Sequence, residues 1–353
     1  MLARPTWTSN DFEPRPKDKL WLDRNESRNT NIINLVKDIA SECIDNRIST
    51  YNDLNDLYIK AEEELGISEQ NLYFTNGADG AIRTFFELCS FKGINQQCIL
   101  MRPSYGMYGV YAHYYCDEVI YVDYEKFTER DCNQITRLLE CLTNCAENSI
   151  CIIANPESPM GIGYTQNNID DVVSICRDKS ISLLVDCTYE DFADLKVKID
   201  INSSSNNNIF VAKSFSKSWG FSGVRLGYLH GSAREIKNSK SARPMYELGT
   251  LQSLILKNAL NYRCLFEKYI QETIKTRDAF VDQLMAIGIS SKTTHCNFIH
   301  VETKTIMKNQ QMWLNSNICY KEFTHKALKP FTRITVPSDG EKIKIIKSLT
   351  DLK

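Results

Sequence analysis

Ser214-Phe215-Ser216-Lys217-Ser218-Trp219-Gly220-Phe221-Ser222-Gly223-Val224-Arg225-Leu226-Gly227-Tyr228 sets one lysine among small hydroxyl residues, with an arginine eight positions later and glycines through the segment. Hydroxyls and a guanidinium can hold a phosphate, and glycines let the backbone come close to it. An amine held beside a phosphate site is a candidate for covalent attachment of a phosphorylated cofactor. The plain alternative is a solvated lysine in a glycine-rich loop. The rest of the chain has to decide between them.

Upstream of this segment, short runs rich in Val and Ile alternate with helical patterns. The runs are Gln97–Met101, Glu118–Val122, Ser149–Ala154, Ile181–Val185 and Asn208–Ala212. They are mostly continuous rather than alternating, as in strands covered on both faces. Between them, segments such as Ile169-Asp170-Asp171-Val172-Val173-Ser174-Ile175-Cys176 place apolar residues at helical spacing. This predicts an α/β domain with a mainly parallel sheet over residues 45–240. The polar tract Asn202–Asn208 reads as a loop. From Met245 to Met285 the pattern is long and helical, and Phe331–Val336 reads as a late strand. Residues 241–353 are expected to form a smaller α/β C-terminal domain, joined by an N-terminal arm of residues 1–44.

Ligands of an open parallel sheet bind at the carboxyl ends of its strands. The run Ile181–Val185 ends in Asp186-Cys187-Thr188-Tyr189. A buried carboxylate there could hold a protonated nitrogen of a ligand, although Asp at a strand end is also a common helix cap. Tyr189 could offer its phenol to the same ligand. In Thr75-Asn76-Gly77-Ala78-Asp79-Gly80, apolar residues at 82, 85, 86 and 89 predict a helix beginning near Asp79. Its N-terminus, Gly77-Ala78-Asp79, offers free amides to a phosphate shared with Ser214, Ser216 and Arg225. After Met101, the run Arg102-Pro103-Ser104-Tyr105-Gly106-Met107-Tyr108 supplies Tyr105, a ring able to stack on an aromatic cofactor.

Taken in order, these segments resemble the fold-type I pyridoxal phosphate (PLP) aminotransferases, nearest the histidinol-phosphate aminotransferase branch. The likeness runs over residues 20–340. It includes Ser-x-Ser-Lys-x-x-Gly-x-x-Gly-x-Arg-x-Gly-Tyr, Asp-x-x-Tyr placed 31 residues before the lysine, Gly-Ala-Asp, and Tyr-Gly-Met-Tyr. The resemblance implies that Lys217 binds PLP covalently and then moves the substrate proton, with Asp186 on the ring nitrogen and Tyr189 on the ring oxygen. Asn155-Pro156-Glu157-Ser158-Pro159-Met160-Gly161 departs from the family's Asn-Pro-Asn-Asn-Pro-Thr-Gly. Ser158 stands where an asparagine usually bonds the ring oxygen. It offers a shorter reach and one donor in place of two.

Thr332-Arg333-Ile334-Thr335-Val336 is similar to the strand whose arginine grips the substrate anion, which implies that role for Arg333. Lys321 falls near a second family arginine that holds a substrate phosphate. Trp21-Leu22-Asp23-Arg24-Asn25-Glu26-Ser27 resembles the segment that closes over substrate, so Asn25 is a substrate-binding candidate. Ser49-Thr50-Tyr51-Asn52-Asp53 lies where the family's tyrosine reaches the cofactor phosphate of a neighbouring subunit, which implies a homodimer with Tyr51 crossing between sites.

Composition narrows the field. The charge is nearly balanced, 42 basic against 44 acidic residues, and gives no field for nucleic acid. No apolar run reaches the length of a membrane span, and Met1–Trp7 lacks a signal-peptide core. Thirteen cysteines without a Cys-x-x-Cys pair read as reduced buried thiols of a cytoplasmic protein. Five scattered histidines show no metal spacing. The expected function is PLP-dependent amino transfer between a small, optionally phosphorylated, amine or amino acid and a 2-oxo acid. Decarboxylation of a phosphorylated amino acid is the alternative chemistry. A PLP-binding regulator is the remote one, since it would need a DNA-binding domain for which there is no room before residue 20.

Overall fold

Asn29 opens the first helix by accepting from the amides of Asn31 and Ile32, so α1 (Thr30–Glu42) follows a short strand of the arm, β1 (Leu20–Trp21). Helix α2 (Asn55–Leu65) stops at Gly66, which adopts the left-handed conformation. Strand β2 (Leu72–Thr75) passes directly into α3 (Gly77–Phe91). Strands and helices then alternate through β3 (Gln97–Arg102), α4 (Gly106–Tyr115), β4 (Glu118–Asp123) and α5 (Cys132–Asn144). The series continues with β5 (Ile150–Ala154), α6 (Gln166–Asp178) and β6 (Ser182–Asp186). Strands β7 (Ile209–Ser214) and β8 (Gly227–His230) flank the lysine segment. Helices α7 (Ala233–Ser241), α8 (Thr250–Leu260) and α9 (Arg263–Ala286) come next. The C-terminal part contains β9 (Ser291–Lys292), β10 (Phe298–Glu302), α10 (Thr303–Lys308), β11 (Ile318–Cys319), β12 (Phe331–Thr335) and α11 (Asp339–Thr350). This computed structural model describes residues 15–350, apart from 17, 45, 126–131, 195, 202, 204–205 and 309–316. Met1–Trp7 and part of the 202–208 tract therefore lie outside the described residues.

Seven strands make the main sheet in the order β2-β8-β7-β6-β5-β3-β4. The run from β7 to β4 is parallel, while β8 lies antiparallel to both β2 and β7. Its middle is covered on both sides, as the continuous apolar runs require. Ile153, Leu183 and Val185 pack into one core with Ile135, Leu138 and Val172 of the covering helices. Ile152, Leu184 and Phe210 pack on the other side with Phe85 and Phe86 of α3. Cutting a side chain such as Leu184 to alanine would cost roughly 2–5 kcal/mol, because a core this dense cannot collapse into the void. The antiparallel sheet β12-β10-β9 lies elsewhere, and β1 pairs in parallel with β11, so the arm joins the C-terminal elements.

Strands β1, β2, β8, β9, β10 and β11 are additions to the sequence reading. Strand β8 is hidden in the Gly227-Tyr228 end of the lysine segment, where glycine hides any strand pattern. Gly227 is there because a Cβ would come within 2.6 Å of the carbonyl oxygen of Lys213 and the carbonyl carbon of Gly77. Helix α3 begins at Gly77 rather than near Asp79, a shift within the usual spread of helix ends.

Candidate active site

The parallel register aligns the carboxyl ends of the central strands: Ala154 sits opposite Asp186, and Asp186 opposite Ala212. The loop after β5, the end of β6 and the lysine segment after β7 therefore converge. They close a cavity of about 460 Å³ together with the N-terminus of α3, the arm and β12. Trp219 anchors the lysine segment by stacking flat on Phe266 of α9, with ring centroids 4.5 Å apart.

At one end of the cavity, Ala78 and Asp79 meet Ser214, Ser216 and Arg225. Arg225 Nη2 lies 2.9 Å from Asp79 Oδ2, and Tyr105 donates to Asp79 Oδ1 at 2.7 Å. Gly77 has φ 73°, and a Cβ on it would stand 3.0 Å from Arg225 Nη2. The Ser216 hydroxyl is buried and has no hydrogen-bond partner among the described residues. Helix amides, a guanidinium and an unsatisfied hydroxyl form a receptor for a phosphate.

Two lysines four residues apart are held in opposite states. Lys213 is clamped by Glu190 at 2.7 Å and Asp191 at 3.1 Å. These carboxylates drive its amine well above the usual lysine range despite burial. Lys217 Nζ donates to the Arg24 carbonyl at 2.9 Å, and the amine is pushed down to about 8 by burial and then by the Arg333 guanidinium. It is the amine of the pair available as a nucleophile near neutral pH.

Asp186 lies at the end of β6 and faces the same cavity. Tyr108 donates to its Oδ2 at 2.5 Å and the Thr188 amide to its Oδ1 at 2.9 Å. Burial raises its pKa, and these two donors oppose the rise. Tyr189 and Ser158 form the neighbouring wall. The phenol of Tyr189 accepts from Asn25 Nδ2 at 2.8 Å, and its ring packs edge-on against Phe298. Arg333 is held between the rings of Phe298 and Phe323, at 5.1 and 5.6 Å, and gives Nη2 to the Asp23 carbonyl. Its buried Nε has no partner among the described residues. A backbone bridge pairs Lys321 with Arg333, and both side chains line the cavity.

Lys217, Asp186, Tyr189, Ala78, Asp79, Tyr105, Ser158, Ser214, Ser216, Arg225, Arg333, Asn25 and Lys321 thus share one cavity, with Gly77 behind the cradle. Tyr51 is not on its wall. It is 78% exposed and stacks on Tyr246 at 3.9 Å. Sequence reasoning left Tyr108 and Thr188 without roles, although both stand in quoted motifs. It also passed over Glu157, whose side chain is buried with Oε1 unpartnered among the described residues. Its carboxyl is pushed far up by burial and by neighbouring Asp186. Among the described residues no group of three or more His, Cys, Asp or Glu could hold a metal, and no helix is long and apolar enough to cross a membrane.

PLP fits this residue set. The cradle could hold its phosphate, Asp186 could face its ring nitrogen and Lys217 could reach its aldehyde carbon. Comparison with known proteins agrees. The chain is 25% identical over 334 residues to histidinol-phosphate aminotransferase 1 of Carboxydothermus hydrogenoformans, covering 94% of this chain and 92% of that one. Its fold matches the histidinol-phosphate aminotransferase of Sinorhizobium meliloti, solved in complex with pyridoxal-5'-phosphate, with a TM-score of 0.76 at 17% identity. That match covers 95% of this chain and 92% of the other. L-threonine-O-3-phosphate decarboxylase of Porphyromonas gingivalis also shares the fold, with a TM-score of 0.75 at 17% identity, over 94% and 98% of the two chains. The family model for aminotransferase class I and II matches residues 17–347. Fold, cavity and family model agree, and the chain belongs to the class I and II aminotransferases, enzymes that use PLP.

Proposed function

We propose that this enzyme transfers the amino group of a small phosphorylated amino compound, of the histidinol-phosphate kind, to a 2-oxo acid. The observation that carries the reading is the arrangement of the Lys217 amine, the Asp186 carboxyl and the Arg333 guanidinium around one cavity. PLP bound there supplies an electron sink for negative charge developing at the substrate's α-carbon. Lys217 would hold the cofactor at rest and, when free, would take the proton from that α-carbon and return it to the cofactor carbon on the other side of the substrate nitrogen. With a pKa of about 8 it can serve as base and then as acid near neutral pH. Asp186 keeps the ring nitrogen protonated. Arg333 binds the substrate's anionic end, and Lys321 adds a second cation suited to a phosphate.

Two further parts belong to this reading. The chain divides into an arm of residues 1–44, a cofactor-binding unit of 45–240 and a C-terminal unit of 241–353. It also works as a homodimer in the cytoplasm. Support for the dimer comes from exposed Ile48, Tyr51, Met245 and Tyr246, a surface apolar enough to invite a second copy. Support for the compartment comes from the free and mostly buried thiols among the described residues.

The test is a panel of amine donors, histidinol phosphate included, mixed with 2-oxo acids while oxo product and carbon dioxide are followed together. Amino transfer requires an acceptor and releases no carbon dioxide. Carbon dioxide evolved in step with substrate loss, without any acceptor, would make the enzyme a decarboxylase, the chemistry named for the Porphyromonas gingivalis neighbour.

A further inference from the structure

We propose that Asn25 is a positioning residue for Tyr189, aiming the tyrosine's hydroxyl proton at the cofactor. Asn25 is 1% exposed and sits in the left-handed conformation, with φ 55°, which few residues other than glycine and asparagine tolerate. Two side chains from the far end of the chain hold it there. The Asn25 amide donates to Thr335 Oγ1 at 3.1 Å, and Asn297 Nδ2 donates to the Asn25 carbonyl at 3.0 Å. Thr335 in turn spends its own proton on the Leu22 carbonyl at 2.8 Å. With the backbone anchored at both polar groups, the side chain has one direction to take. Its Nδ2 donates to the Tyr189 phenol at 2.8 Å, while its Oδ1 lies 3.5 Å from Thr335 Oγ1.

A phenol that accepts a strong hydrogen bond is a better donor, and its proton must point away from the group it accepts from. In Tyr189 that leaves the cavity side. The ring oxygen and the phosphate arm of PLP flank its aldehyde carbon on either side. A ring with its phosphate in the Arg225 cradle and its aldehyde at Lys217 would turn that oxygen away from the cradle, and Ser158 and Tyr189 line the same cavity. Ser158 lies close enough to the phenol to favour its ionised form, so the short side chain acts on the tyrosine. The task divided elsewhere between an asparagine and a tyrosine thus falls on Tyr189, with Asn25 behind it. The other ionisable groups facing the phenol are Arg333 from β12, Cys296 from the segment before β10, and Tyr105. None of them is altered by changing Asn25.

This inference rests on the proposed contacts of Lys217 and Tyr189 with PLP, and its test separates the two readings. The readout is the pH titration of the visible absorbance of the PLP-loaded enzyme without substrate. Donation to the ring oxygen draws charge from it and lowers the proton affinity of the lysine–cofactor linkage, so weaker donation raises the midpoint. Asn25→Gly keeps the left-handed backbone and removes the amide. It should raise the midpoint by roughly 0.5–1 pH unit, the worth of one hydrogen bond. Asn25→Asp, nearly isosteric, should raise it further, because the carboxylate takes the phenol's proton for itself; it also serves if the glycine variant does not fold. In a Tyr189→Phe background the Asn25→Gly shift should vanish. An unchanged midpoint, or an equal shift in the phenylalanine background, overturns the role of Asn25 alone. A wild-type enzyme whose bound PLP shows no visible band dependent on Lys217 overturns the parent reading, and this one with it.

Discussion

Tyr108 donates its phenolic proton to Oδ2 of Asp186 at 2.5 Å, with both groups out of solvent at the end of β6. The hydrogen bond favours the carboxylate, and only the carboxylate can hold a proton on a pyridine nitrogen. Tyr108→Phe should let burial raise the Asp186 pKa further. The acidic limb of the kcat profile should then move up by roughly one pH unit, with kcat lowered about tenfold at the acid end. A profile superimposable on wild type would show that the tyrosine has only a packing role.

The contrast between Lys213 and Lys217 predicts the site of attachment. Borohydride treatment of the PLP-loaded protein should label Lys217 and leave Lys213 unmarked, as peptide mass mapping would show. A label on Lys213 would overturn the assignment. The attachment rate should climb with pH, reach about half its limit near pH 8, where half of the Lys217 amine is unprotonated, and level off roughly one unit higher.

Arg333→Ala removes a desolvated guanidinium from the anion site, a loss of roughly 2–5 kcal/mol in binding. KM for the amine should rise by orders of magnitude while PLP stays bound. Lys321→Ala should raise KM for phosphorylated amines by about tenfold or more and leave unphosphorylated analogues nearly unaffected. Equal effects on both classes would show that Lys321 does not read the phosphate.

Tyr51 tests the assembly. A Lys217→Ala chain mixed with a Tyr51→Phe chain should regain activity if subunits exchange. One site of the mixed dimer then carries both defects and the other neither. A fully active monomer by light scattering would refute the shared site.

Glu157 makes stability depend on pH in a definite direction. Its native pKa is raised, so the folded protein keeps a proton that the unfolded chain loses above about pH 4.3. Stability from this group is full below that pH. It declines by about 1.4 kcal/mol per pH unit until the buried carboxyl itself ionises. Glu157→Gln should flatten the slope by that amount in urea titrations from pH 5 upward. Matching slopes in the two proteins would mean that Glu157 ionises normally.

The parallel part of the sheet was legible because its strands are buried on both faces and spell continuous Val and Ile runs. Strand β8 was not, because its place in the sheet depends on glycine's lack of a side chain rather than on any apolar pattern. Within the site, residues carried by local motifs, such as Lys217, Asp186 and Arg225, could be named because those motifs resemble the family's. Asn25 could be named but not given its partner, since nothing near it in sequence announces Tyr189. Tyr108 stood in a quoted motif without a role, because its partner is 78 residues away and only the strand register joins them. Glu157 looks like a surface residue until the fold buries it.

The bonds holding the arm carry a consequence for biosynthesis. Asn25 is fastened by Thr335, 310 positions further along the chain. A ribosome makes the first of these residues long before the second, and loop closure over such a span is slow. The cofactor pocket is thus among the last features of the nascent protein to be completed. A chain stalled before residue 331 would contain Lys217 and its phosphate cradle yet lack the strand that seats the arm. PLP could attach to such a chain, and only substrate binding would mark the moment when the two ends of the polypeptide meet.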